Sequence, residues 1–118
     1  MKPITKVLKN LDRQAYYEKH LYIIHHFFPE SLTPKQIEVL ACFMSLDNEM
    51  AHIERFGTYC RKLVMDKTGL QPGGLGNYLK QLIEKEYIFK DKDKGYSLNP
   101  WIVPDHNSQI YQFRIDKK

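Results

Sequence analysis

Along most of the chain apolar residues recur at three- and four-residue intervals, and only beyond Glu86 does the interval shorten to two. Residues 12–28 place Tyr17, Leu21, Ile24 and Phe28 on one helical face, with a second apolar line through Tyr16, Ile23 and Phe27. That stripe is wider than one core face requires. Tyr16, Ile23 and Phe27 are therefore candidates for a partner surface, a homodimer contact in particular, while a helix wholly enclosed by its own domain is the equal alternative. His20, His25 and His26 are expected at the polar edge, and Pro29 ends the helix.

The next helix, 33–46, has clear start signals. Thr33 is the cap, Pro34 takes the first helical position and Gln36 completes a capping box. Ile37, Leu40, Ala41 and Met44 form its inward stripe. Residues 47–57 read as a loop or a single helical turn carrying Met50, Ile53 and Phe56. From 58 to 86 two helices follow one another. The first is capped by Thr58 and ended by Gly69, with Cys60, Leu63 and Val64 inward and Arg61, Lys62 and Lys67 outward as candidate contacts to a DNA phosphate backbone, with ordinary solubilising charge the alternative. The second opens at Pro72 and turns Leu75, Leu79 and Leu82 to the core. Its opposite face collects Gly73, Asn77, Lys80, Gln81 and Glu84.

Residues 87–115 change period. Tyr87 to Lys90 has strand composition, residues 91–95 form a charged turn and Tyr96 to Leu98 is the returning strand. Trp101 is expected as a core plug. The alternation from Gln109 to Ile115 predicts a further strand on the same sheet. The fold class is thus mainly α with a small β-sheet (α+β). One domain, 12–118, follows a basic N-terminal arm, 1–11.

Composition adds little to this and charge distribution adds more. Over 118 residues, 42% hydrophobic and 27% charged content are ordinary for a globular domain, and the net charge is +4. Residues 58–95 hold eight Lys and Arg against five Asp and Glu, whereas residues 31–57 hold two against four. Positive charge therefore accumulates on the helix pair and hairpin. No apolar run has the length of a membrane span and the start lacks a secretory core, so a cytoplasmic protein without membrane contact is expected.

Candidate chemistry is sparse. Cys42 and Cys60 are expected as buried reduced thiols, and the adjacent pair His25 and His26 does not share a helix face as a metal pair would. Asp47, Glu49 and His52 have no nucleophile or phosphate-binding loop to complete a catalytic group. No enzyme, metal, cofactor or small-molecule ligand is implied. The polar face of the second helix suits duplex DNA instead. Asn77 and Gln81 match adenine edges, and Lys80 matches guanine or phosphate. Gly73, Gly74 and Gly76 each cost a helix about 0.8–1 kcal/mol relative to alanine, which calls for close approach to a phosphate or for a delayed helix start. Lys90, Lys92 and Lys94 on the hairpin are candidate phosphate contacts, partly cancelled by Asp91 and Asp93.

The capped helix LTPKQIEVLACFMSL, the segment RKLVMDKTGLQPGGLGNYLKQLIEKEYI and the loop KDKDKGYSLNP together resemble the winged helix-turn-helix DNA-binding superfamily, over residues 32–103. The arrangement looks like antibiotic-resistance-type regulators, small plasmid replication initiators and short bacteriophage winged-helix proteins. The resemblance implies that the helix starting at Pro72 enters the major groove through Gly73, Asn77, Lys80 and Gln81, with the hairpin wing on flanking backbone. It implies a bacterial or phage regulator of transcription or replication. The glycine-rich helix start departs from the Ser, Thr and Arg residues that commonly open a recognition helix. A winged-helix module for protein interaction or phage assembly, using the aromatic N-terminal helix, is the alternative.

Overall fold

The structure is a computed structural model that describes residues 11–93, 95–104, 111–112 and 114–117. Residues 1–10 of the expected arm, Lys94 and His106 lie outside the described residues. Helix α1 (Arg13–Ile24) runs into a 3-10 turn (His25–Phe27) and is followed by α2 (Pro34–Ser45), α3 (Glu49–Ile53), α4 (Thr58–Thr68) and α5 (Pro72–Glu84). Strands β1 (Ile88–Asp91) and β2 (Gly95–Leu98) then pair antiparallel, Ile88 opposite Leu98 and Asp91 opposite Gly95. A 3-10 turn (Pro100–Ile102) is the last helical or strand element among the described residues. The chain is mainly helical with a small two-stranded antiparallel sheet.

Helix α2 is the centre. Its capping box forms as expected, Thr33 Oγ1 accepting from Gln36 N and Gln36 Oε1 from Thr33 N. Val39, Leu40, Ala41, Cys42 and Phe43 are all fully buried, so this stretch of the helix is enclosed on every side, with α1, α4 and α5 packed against α2. Its carboxyl end carries no basic residue of its own in the last turn. Two arginines from elsewhere supply the charge: Arg55 Nη1 donates to the Phe43 and Leu46 carbonyls at 2.8 and 2.9 Å, and Arg13 Nε to the Ser45 carbonyl at 2.9 Å.

The loop between α1 and α2 is clasped to the far end of α5. Lys85 Nζ donates to the Ser31 carbonyl at 2.7 Å and to Gln36 Oε1 at 2.8 Å. Tyr87 is fully buried, stacks on Phe28 and donates its hydroxyl to the Glu30 carbonyl at 2.6 Å. Asn99 joins the hairpin base to the end of α5, its Nδ2 donating to the Glu86 carbonyl and its Oδ1 accepting from Trp101 N.

Several expectations are corrected. Helix α1 gives way to the 3-10 turn after Ile24 instead of running to Phe28. The N-cap of α4 is Gly57 and not Thr58; the Glu54 side chain lies where a Cβ on Gly57 would sit, so only glycine fits there without a shift. His20 and His25 are buried, not at a polar edge, because neighbouring segments fold over them. Trp101 is 86% exposed, and Ile102 fills the core in its place. Tyr111, Gln112, Arg114 and Ile115 are not in a strand, and the rest of the expected strand lies outside the described residues.

Candidate functional site

The exposed face of α5 follows from two local features. Gly69 ends α4 in the left-handed conformation, φ 74°, which glycine adopts without Cβ strain, and the chain re-enters a helix at Pro72. Leu75, Leu79 and Leu82 then bury against the core, as their spacing predicts. Gly73, Gly76, Asn77 and Lys80 are left exposed and Gly74 half-buried.

The glycines have no internal use. A Cβ at Gly73 or Gly76 meets nothing within 4 Å, and one at Gly74 meets only Leu70 at an ordinary 3.6 Å. None of the three has a positive φ. The side chains of Asn77 and Lys80 make no hydrogen bond or ion pair with another described residue. Gln81 differs from this group. It is exposed like them, but its Oε1 accepts from Gln36 Nε2 at 2.7 Å, which ties it to the α2 cap.

On α4, Lys62 and Lys67 point to solvent. Arg61 does not, contrary to expectation. It is half-buried, with Nε donating to the Phe56 carbonyl at 2.7 Å and the guanidinium 5.2 Å from the centre of the Tyr96 ring. On the hairpin Lys92 is exposed, while Lys90 holds its Nζ 5.6 Å from the centre of that same ring. Tyr96 is the residue that the sequence reading passed over. Its register opposite Lys90 is implied by any hairpin turning at 91–95, but the arrival of Arg61 has no sequence signal.

The expected partner line on α1 divides. Tyr16 and Ile23 are half-buried, whereas Phe27 is 67% exposed. Beside them His20 Nε2 donates to the Ile102 carbonyl at 2.7 Å, which leaves Nδ1 to accept from the Tyr111 hydroxyl. Burial pushes the Tyr111 hydroxyl up to about 12, with nearby Tyr16 adding to the shift. Tyr111 therefore occupies space next to the α1 surface expected for a partner. His20, Ile24, Trp101, Val103 and Tyr111 line an open groove of about 470 Å³.

Cys42 and Cys60 are free, buried thiols, and burial pushes both above the ordinary thiol value. Asp47 and His52 form an exposed pair at 3.3 Å. Among the described residues no three His, Cys, Asp or Glu side chains converge at metal-ligand distances, and no helix is long and apolar enough to cross a membrane. Comparison with protein-family models, curated proteins and solved structures gave no match.

Proposed function

We propose that this protein is a non-enzymatic duplex-DNA-binding regulator of winged helix-turn-helix type, acting in bacterial or phage transcription or replication. Helix α5 enters the major groove and the β1–β2 hairpin serves as the wing on flanking backbone. The observation that carries the reading is the exposed face of α5. Three glycines weaken the helix without serving its packing, and Asn77 and Lys80 stand beside them without a described partner. Such a face suits a ligand whose backbone comes close and whose edges offer hydrogen bonds. Lys62, Lys67, Lys90 and Lys92 supply phosphate contacts on the neighbouring elements.

The test is anisotropy titration with random-sequence duplex DNA at two salt concentrations. Micromolar binding that falls steeply with salt is expected. Asn77→Ala and Lys80→Ala should each weaken binding while leaving the unfolding transition in place; unchanged affinity in both removes α5 as the contact surface.

A second reading rests on the exposed apolar side chains Trp101, Phe27 and Tyr22, at 86%, 67% and 61%. In it the same fold holds a protein partner or a second copy through the α1 side. Self-association without nucleic acid, lost on Phe27→Ala or Trp101→Ala, favours this reading over the first.

A further inference from the structure

The ring of Tyr96 brings together two cations from parts of the chain 29 positions apart, Arg61 on α4 and Lys90 on β1. Their distances to the ring centre, 5.2 and 5.6 Å, bound the separation of the two charges at about 11 Å. Neither forms an ion pair with a described residue. Arg61 uses Nε on the Phe56 carbonyl, which fixes the plane of the guanidinium and leaves both Nη groups without a described hydrogen-bond partner. Lys90 is held from the other side of the junction, since it lies directly opposite Tyr96 in the hairpin register.

Two like charges gathered on one aromatic ring, neither of them in an ion pair with a described residue, repel each other until an anion arrives. The planar fork of arginine and the point charge of lysine both suit phosphate oxygens. We propose that Arg61 and Lys90 form a phosphate clamp for duplex DNA, with Tyr96 as the positioning residue that sets their spacing and links the hairpin to α4. The clamp rests on the DNA-binding reading and adds to it. It takes one phosphate, or two consecutive phosphates of one strand, and it makes hairpin position and backbone binding a single event.

The clamp is tested on the full chain with random-sequence duplex DNA, as the slope of log affinity against log salt concentration. Arg61→Gln and Lys90→Gln are each expected to flatten that slope by about one. Tyr96→Leu should flatten it as well, whereas Tyr96→Phe, which keeps the ring face, should bind like the unaltered protein. Unchanged slopes in both charge variants, with DNA binding intact, overturn the clamp. Should Arg61→Gln or Tyr96→Leu unfold the chain, the exposed Lys90→Gln change decides alone.

Failure of the unaltered protein to bind duplex DNA sinks the functional reading, and the clamp is then judged with inorganic phosphate. A saturable shift of the Arg61 Nε–H resonance that Lys90→Gln abolishes supports it as an anion site. No shift overturns it.

Discussion

Gly76 and Glu86 show how differently two residues of one region relate to their backbone. Glu86, just past the end of α5, holds φ 66°, a left-handed conformation that favours glycine, and its carbonyl is fixed by Asn99. Gly76 has the opposite mismatch, a glycine in ordinary helical conformation with open space where a side chain would go. Gly76→Ala is therefore expected to stabilise the fold by about 0.5–1 kcal/mol, read as a higher urea midpoint. If glycine is there for close approach to DNA, the same change should weaken duplex binding several-fold. A variant that is more stable and binds as well as before would show that the bare backbone has no role in binding.

At the scale of elements, the ends of α2 are completed in two ways. The amino end is closed by its own neighbours, Thr33 and Gln36. The carboxyl end is closed from a distance by Arg55 and Arg13, whose charges also oppose the negative end of the helix dipole. Arg55→Ala should cost about 1.5–3 kcal/mol, the range for hydrogen bonds from a charged donor. Arg55→Lys should recover only part of this, because one ammonium does not reproduce the guanidinium fork. Thermal unfolding of the pair of variants checks both statements, and an Arg55→Ala protein as stable as the parent would remove Arg55 from the account of α2.

For the whole molecule, two buried histidines couple stability to pH. His25 Nδ1 accepts from Leu32 N at 2.9 Å, so the proton sits on Nε2, which has no hydrogen-bond partner among the described residues. Burial, then His26 and Lys85, hold its pKa below the ordinary 6.5. His20 is lowered as well, by burial, with the bond to the Ile102 carbonyl opposing the shift. In both cases the folded state favours the neutral ring, so above 6.5 neither group contributes a pH dependence. As pH falls below 6.5 the unfolded chain takes up protons first, and stability declines until the lowered folded values are passed. The urea midpoint should thus drop between pH 7 and pH 5. His20→Gln combined with His25→Asn, which keep a donor for Ile102 and an acceptor for Leu32 without titrating there, should flatten the profile; an unaltered slope would place the dependence elsewhere.

What the sequence determined by itself was whatever depends on neighbours along the chain. The capping box at Thr33 and Gln36, the left-handed end at Gly69, the leucine stripe of α5 and the hairpin around residues 91–95 are all set by spacings of a few residues, and each formed as read. Tertiary structure decided the rest, because the burial or pairing of a single side chain depends on which remote segment arrives beside it. Arg61 and Lys62 are adjacent cations on one helix, yet only Arg61 meets Tyr96 and the Phe56 carbonyl. Gln81 lies one residue beyond Lys80 and is taken by Gln36, while Lys80 stays open. In the turn after β2, Asn99 binds the Glu86 carbonyl and accepts from Trp101 N, and the backbone it holds sends Ile102 into the core and Trp101 to solvent. Hydrophobicity ranks Trp101 and Ile102 alike as candidates for the interior, and only the path of the chain chooses between them.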